Sequence, residues 1–509
     1  MNLCARSLAG LGLAVICSAA LGCAGQKGVA PSKVHLGPGD AAPDSRPAVS
    51  DAAGGGPHAD SGAHLGARDA RVHGAVDAAA DGATSTMATA LQALRALSPS
   101  ALPKPLPDAT NRFADNPTAA AFGKQLFFDA FFAGPLLDSD NDGSPATLGR
   151  PGDTGKVACA SCHVPSGGFS DTRSFQLQIS LGAGWGRRRA PSLLDVGQSR
   201  LIMWDGRRDA LYNQVFGPIE NVVEMNSSRL YAAEQIFKKY RTTYEALFGA
   251  MPALGDASQF PALGAQATGC QPKNPTDPQP TCDGPFHGIP GDGAEYDHMT
   301  VGNQAAVTQV VVNAGKAIGA YERTLVCGAG AFDDWMHGNG TAISDSAQRG
   351  ALLFVGKAGC ASCHSGPYFS DQKFHNVGLK PRTVQQAFTD TNDQGAATGI
   401  AAALADPLNT SGKFSDGTDG RLPAAVTPAM TGAFRTPMLR CVSRRPAFMH
   451  TGQLRSLAEV VAFFNSGGDT AGYPGARETQ PLGLTDDEQA DLVMFLTALD
   501  GSHASDGSQ

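Results

Sequence analysis

The pentapeptide Cys-Ala-Ser-Cys-His occurs twice, at residues 159–163 and again at residues 360–364. Two cysteines separated by two residues and followed by histidine are the signature of covalent c-type haem attachment. Cys159 with Cys162, and Cys360 with Cys363, can each form thioethers to the two vinyl groups of a haem. The adjacent His163 or His364 is then held beneath the ring as the proximal iron ligand. A zinc knuckle would need a second Cys/His pair close by, which neither motif has, and thioredoxin-like redox pairs lack the trailing histidine. The chain is therefore expected to bind two haem c groups.

The N-terminus suits that chemistry, which is completed outside the cytoplasm. Arg6 precedes an apolar run over residues 8–21, with small residues before Cys23, the pattern of an export signal over residues 1–23. The run is too short to span a bilayer. Ala20-Leu21-Gly22-Cys23 resembles a lipoprotein cleavage box, which makes Cys23 the candidate lipid anchor; ordinary cleavage nearby is the other reading. Residues 24–97 are rich in Ala, Gly, Pro, Asp and Ser without periodicity and read as a disordered tether. Its His35, His58, His64 and His73 are expected to be solvated. Cys270 and Cys282 flank a Pro/Asn/Asp-rich loop and suit a local disulfide in an oxidising compartment. Cys327 and Cys441 sit in apolar contexts and are expected to be buried free thiols.

Charged residues make up 17% of the 509, with a formal net charge of −8, so nothing points to nucleic acid. Beyond the tether, helix signals dominate and no run alternates like a strand. Residues 303–326 have long apolar periodicity, and Ser456-x-x-Glu459 and Thr485-x-x-Glu488 are capping boxes. Leu457, Val460, Val461 and Phe464 share one helical face, ended by Gly467-Gly468. A Gly/Asn-containing boundary near residues 337–340 divides the chain into two mostly helical units, 98–340 and 341–500, with one motif apiece. Asp138-Ser-Asp140-Asn-Asp142-Gly143 copies the first half of a calcium loop, but the twelfth position is Gly149 where a glutamate is needed, so it reads as an acidic turn.

Several ordered blocks surround the two motifs. They are Gly123-Lys-Gln-Leu-Phe-Phe-Asp129, Arg189-Ala-Pro-Ser-Leu-Leu194, Trp204-Asp-Gly-Arg207, Pro218-Ile219 with Glu224-Met225, and Tyr321-Glu-Arg-Thr324. The second half adds Phe374-His-Asn-Val-Gly378, Phe434-Arg-Thr-Pro437 and Met449-His-Thr-Gly452. In this order they resemble the bacterial dihaem cytochrome c peroxidase and MauG family. The resemblance runs from about residue 116 to residue 499. It implies an all-α fold of two cytochrome c-like haem domains, the first haem reacting with hydrogen peroxide and the second relaying electrons. It also implies a periplasmic setting and a small cytochrome c or cupredoxin as electron donor.

Carried over residue by residue, Glu224 matches the family's distal glutamate, 20 residues beyond Trp204. Peroxide must lose a proton from one oxygen and gain one on the other, a task that suits a carboxylate. Gln214, ten residues after the tryptophan, takes the place of a pocket hydrogen-bonder, and Pro218 that of the pocket wall. Trp204 matches the tryptophan between the two haems, where an indole can relay an electron.

Three departures from the family stand out. Many members carry a histidine after the first motif that caps the iron at rest; here no histidine lies between His163 and His287, and the matching segment is Ser180-Leu-Gly-Ala-Gly184. The first haem is thus expected to be open without reductive activation. The sixth ligand of the second haem, methionine or tyrosine in the family, falls on Phe464, fourteen residues after His450, and phenylalanine cannot ligate iron. That iron is left five-coordinate or water-bound, or is served by Met449 or Met438. At the family's interdomain cation site stand Asp195 and Arg445, which leaves calcium at Asp195 or an Asp195–Arg445 ion pair. The expectation is an exported dihaem peroxidase. The alternatives are a MauG-like oxidase of a protein partner, an oxygenase at the bare second iron, and a non-enzymatic electron-transfer or redox-sensing cytochrome.

Overall fold

The computed structural model describes residues 87–173, 179–263, 268–271, 281–381 and 390–503. The export signal, Cys23 and the tether up to residue 86 lie outside the described residues. Helix α1 (residues 87–97) is followed by α2 (Pro117–Phe128), α3 (Cys159–Cys162), α4 (Leu211–Gln214), α5 (Phe216–Glu220) and α6 (Arg229–Phe248). Strands β1 (Thr268–Gln271) and β2 (Thr281–Phe286) lead to the long α7 (Val301–Glu322), β3 (Cys327–Gly330) and α8 (Ala331–Met336). The second half runs through α9 (Asp345–Val355), β4 (Phe374–His375), α10 (Ala396–Ala405), β5 (Phe434–Arg435), α11 (Leu457–Asn465), α12 (Asp486–Thr497) and β6 (Gly501–His503). The fold is mostly helical, as expected. The described strands, which sequence periodicity does not reveal, form antiparallel pairs β1–β2, β3–β6 and β4–β5. They are too short for alternation to register.

The helices begin where local chemistry starts them. Asn116 caps α2 by accepting from the backbone N–H groups of Thr118 and Ala119, and Pro117 occupies the first helical position. Thr485 and Glu488 form the expected reciprocal box on α12, and the Ser456 side chain accepts from Glu459 N at the start of α11. Gly467 follows α11 at φ 78°, a left-handed turn that ends the helix. The apolar run over residues 303–326 is helical to Glu322, and most of its second half is buried.

Each half contains a helix crossing close enough to require glycine. A β-carbon at Gly123 of α2 would lie 1.9 Å from the Ala317 carbonyl oxygen on α7, and one at Gly350 of α9 would lie 2.0 Å from the Asp491 carbonyl oxygen on α12. Only glycine allows these backbones to touch. The larger core gathers Phe122, Phe127, Phe169, Tyr212, Val311 and Ile318. The second gathers Phe332, Phe354, Phe369, Leu457 and Phe495.

Leu94 and Leu97 are fully or almost fully buried in that second core. This corrects the expected tether through residue 97: α1 is ordered because its two leucines find apolar partners that lie hundreds of residues away in sequence. Phe332 and Trp335 of α8 also pack there, so the second core draws on residues before the expected boundary at residue 340.

Arg440, fully buried, forms a bidentate pair with Asp333 at 2.7 and 2.9 Å. Asp333 also accepts from Ser98 Oγ at 2.7 Å and Gly330 N at 2.9 Å. Burial works to raise the Asp333 pKa, but the Arg440 guanidinium and these donors hold it below the ordinary carboxylate value.

A second correction adjoins this pair. Cys327 and Cys441 are not free thiols but a disulfide, with Cα atoms 6.0 Å apart across 114 residues of sequence. β3 presents Cys327, and the turn after Arg440 presents Cys441. Burial was read correctly, but the pairing depends on tertiary contact. The expected Cys270–Cys282 bond concerns side chains outside the described part of the structure; the backbone places the two residues opposite each other across β1 and β2. The half-calcium loop is an acidic turn: Asp138 and Asp142 accept from the backbone of Asp140 and Ser144, and Asp140 accepts from Trp185 Nε1 at 2.8 Å.

Replacing Cys327 and Cys441 together by serine is expected to cost about 2–4 kcal/mol, the usual worth of a disulfide closing a long loop. Asp333→Asn, which strands a buried guanidinium, is expected to cost about 3–5 kcal/mol. Equilibrium denaturant unfolding checks both values.

Candidate functional site

The two Cys-x-x-Cys-His motifs fold alike. Each cysteine pair sits on a single turn, and the histidine N–H bonds back to the first cysteine's carbonyl at 2.9 Å in both. His163 Nδ1 bonds to the Phe169 carbonyl at 3.1 Å, and His364 Nδ1 to the Phe369 carbonyl at 2.8 Å. Both phenylalanines take left-handed backbone conformations, φ 54° and 55°, which swing their carbonyls onto the histidines. With Nδ1 engaged, Nε2 is the nitrogen left to bind a metal. Burial, partly opposed by these hydrogen bonds, lowers both histidine pKa values and so favours the neutral ligand form.

These surroundings fit a haem. Cys159, Cys162, Cys360 and Cys363 are free, half-buried thiols. Around the second motif lies a cavity of about 680 Å³ whose apolar wall includes Leu457, Val460, Val461 and Phe464, the face read from the α11 register. Met438 and Met449 line the same cavity. Arg435 and Arg445 also line it, with no carboxylate at ion-pair distance among the described residues. Burial lowers both guanidinium pKa values to about 10. Buried cations call for anions, and the two propionates of a haem would supply them.

Arg173 donates to the Cys162 sulfur of the first motif at 3.7 Å, and two buried carboxylates also face that motif. Burial raises the Cys159 thiol to about 12, reinforced first by the field of Glu322 and more weakly by that of Glu224. Glu224 accepts from Asn221 Nδ2 at 2.8 Å. Its pKa is raised by burial and lowered in part by Arg207, Asn221 and Arg208. The loop is held from below: Ala183 N donates to the Glu224 carbonyl at 2.8 Å and Gly184 N to the Val223 carbonyl at 2.9 Å. Thus residues 180–184, the histidine-free segment read from the sequence, lie along the backbone of Val223 and Glu224. Pro218 closes the loop, its carbonyl accepting from Met225 N at 3.0 Å. Gln214, at the end of α4, donates from Nε2 to Glu322 Oε1 at 3.5 Å. Sequence reasoning gave Glu322 no role, although a glutamate within the apolar second half of α7 was a signal.

Trp204 borders the second cavity, and its Nε1 donates to the Arg189 carbonyl at 2.7 Å. Burial lowers the Arg189 pKa, opposed in part by the nearby Asp171 carboxylate. His450 lies with its ring centroid 6.5 Å from that of Trp204 and stacks on Phe434 at 3.7 Å.

The expected Asp195–Arg445 ion pair is not formed. Asp195 Oδ1 accepts from Cys327 N at 3.0 Å, and Arg445 Nη2 donates to the Met438 carbonyl at 2.6 Å. Each group is turned by its own backbone partner, so they interact only through a longer-range field. Burial raises Asp195 to about 7. Among the described residues, no group of three His, Cys, Asp or Glu side chains is placed to hold a metal ion.

A sequence model of the di-haem cytochrome c peroxidase family matches residues 117–267. The methylamine utilization protein MauG of Methylorubrum extorquens is 30% identical over 443 residues, covering 85% of this chain and 92% of that protein. The chain belongs to the di-haem cytochrome c peroxidase family. It is an enzyme, a cytochrome-c peroxidase-like oxidoreductase. Cytochrome-c peroxidase IdrP1 of Denitromonas iodatirespirans is also 30% identical, over 396 residues that cover 76% of this chain and 83% of that one. The fold matches the crystal structure of the diheme peroxidase BthA of Burkholderia thailandensis with a TM-score of 0.52 at 21% identity, covering 80% of this chain and 95% of that one. Membership implies two c-type haems.

Protein matured in a host that assembles cytochromes c is expected to carry two haems by intact mass, and Cys360→Ala/Cys363→Ala to carry one. Because Phe464 offers no lone pair, ferric wild-type protein is expected to show a high-spin signal from the His364 centre. Phe464→Met is expected to convert it to low spin in electron paramagnetic resonance and to raise its potential.

Proposed function

We propose that the protein is an exported peroxidase that reduces hydrogen peroxide to water with electrons from a small periplasmic cytochrome c or cupredoxin. The observation that carries this reading is Glu224, held by Asn221 beside the first motif on a loop strapped to residues 180–184, in a stretch that contains no histidine. The overall change is H2O2 + 2 H+ + 2 e− → 2 H2O. Cys159, Cys162 and His163 would hold a haem, which would supply the redox-active iron for peroxide reduction. The Glu224 carboxylate takes a proton from one peroxide oxygen and returns it to the other, which leaves as water. Gln214 orients the peroxide by hydrogen bonding. Trp204, bordering the second cavity and held by Arg189, carries electrons from the centre built on Cys360, Cys363 and His364.

A MauG-like oxidation of a protein partner is the second reading, favoured by the absent capping histidine and the extent of the similarity to MauG. The N-terminal pattern supports a periplasmic location, with Cys23 as a lipid anchor. Among the described residues, Asp195 Oδ2 is buried without a hydrogen-bond partner, but no three His, Cys, Asp or Glu side chains are grouped to hold calcium there.

The ferric protein is expected to react with peroxide without prior reduction in stopped-flow spectroscopy. Glu224→Gln is expected to slow that reaction by about 10²–10⁴-fold, the usual worth of a general acid–base group. In the wild type the rate falls as pH drops through the raised Glu224 pKa and the carboxylate is lost; the glutamine variant loses this limb. An unchanged rate in Glu224→Gln removes Glu224 from the reaction.

A further inference from the structure

Glu322 is only 2% exposed and ends α7, a helix that crosses α4 at close range. A β-carbon at Gly315 would meet the Tyr212 carbonyl oxygen at 2.3 Å, and one at Gly319 would meet Leu211 Cβ at 2.9 Å. Positions 315, 319 and 322 recur at helical spacing on one face, so the turn that follows the two glycines delivers Glu322 to the end of α4. There Glu322 Oε1 accepts from Gln214 Nε2 at 3.5 Å. Its other oxygen, Oε2, is buried without a hydrogen-bond partner among the described residues.

Among the described residues, no cation pairs with this carboxyl group. Arg323, the next residue, turns away to Asp115 at 2.7 Å, and Lys316 pairs with Asp416 at 2.8 Å. On the packed elements, α4 offers the uncharged Gln214. The α2 helix offers Lys124, exposed at a surface pocket beside Tyr321, and α6 offers Tyr244, bonded to Asn313. Two further ionisable groups lie in the field of Glu322: the Tyr321 hydroxyl, which burial and that carboxyl group push up to about 12 and so keep neutral, and Cys159, which is consumed when a thioether forms. A buried carboxyl group with an orphaned oxygen beside a substrate-orienting amide is costly unless it is used.

We propose that Glu322 is a positioning residue of the first pocket, setting which end of the Gln214 carboxamide faces hydrogen peroxide. This rests on the peroxidase reading above. As a carboxylate, Glu322 accepts the Gln214 N–H, and the amide oxygen is left as the group offered to peroxide. As a neutral acid, its O–H donates to the amide oxygen, and the amide turns its N–H groups toward the pocket. Burial raises Glu322 to about 8, so the acid form prevails below that pH and the carboxylate above it.

The test compares wild type, Glu322→Gln, Glu322→Asp and Glu224→Gln as two-haem proteins. The probes are cyanide binding to the ferric protein and peroxide reaction, each followed on both sides of pH 8. Glutamine mimics the neutral acid in size, so folding is expected to survive; haem content and the melting transition check this. Wild type and Glu322→Asp are expected to show an inflection near that pH in the cyanide rate, and Glu322→Gln to lack it. Above the inflection, kcat for peroxide is expected to fall about three- to tenfold in Glu322→Gln with little change in KM, the worth of one orienting hydrogen bond. An inflection that persists in Glu322→Gln overturns the inference. Failure of the peroxidase reading itself is separate: Glu224→Gln would then leave the peroxide rate unchanged, while the cyanide profile still decides the role of Glu322.

Discussion

The buried Asp333–Arg440 pair is the interaction on which the second haem site depends. Arg440 donates from Nε to the Pro367 carbonyl at 2.6 Å and lies over the Phe369 ring at 5.5 Å, and the Phe369 carbonyl orients His364. Its remaining contact, to the Leu97 carbonyl at 3.3 Å, anchors the end of α1. One guanidinium thus joins the N-terminal helix, α8 and the loop that aims the iron ligand. The Cys327–Cys441 bond at the adjacent residue separately ties β3, which leads into α8, to the turn after Arg440. Burying a charge pair is favourable only when its hydrogen bonds are complete, and here Asp333 accepts from four donors.

The two halves share a scaffold and differ in the charge they bury. Both use a glycine-permitted helix crossing, a cysteine-bearing turn and a left-handed phenylalanine whose carbonyl fixes the histidine. Near the first motif two buried acids, Glu224 and Glu322, lie without a direct ion pair among the described residues, alongside Arg173, which donates to Cys162 Sγ; the second cavity is lined by the cations Arg435 and Arg445. Carboxyl groups can hold or pass a proton, and buried cations facing an apolar cavity favour an anionic occupant. The same architecture therefore sets different charges beside its two motifs, in keeping with the division of labour proposed above.

What the sequence by itself determined was local or periodic. The attachment motifs need only five consecutive residues, and the capping box at Thr485 needs four; at Ser456 only the serine half of the expected box forms, because Glu459 accepts from Arg455 N instead. The Leu457/Val460/Val461/Phe464 face follows from helical geometry, which is why the place of Phe464 in the cavity wall was legible without coordinates. The ordered blocks added Glu224, Gln214 and Trp204 through resemblance rather than through any spacing rule.

Only the tertiary structure decided the rest, because each remaining feature joins residues far apart in the chain. Leu94 and Leu97 look like part of a polar tether until Phe332, Phe354 and Phe495 surround them. Cys327 and Cys441 read as buried thiols until two turns bring their Cα atoms to 6.0 Å. Asp195 and Arg445 match as opposite charges, yet each is drawn to a nearer backbone group. Glu322 acquires a place beside Gln214 only through the close crossing of α4 and α7. Charge, burial and hydrogen bonding act over a few ångströms in space, and a linear sequence states those distances only for neighbours.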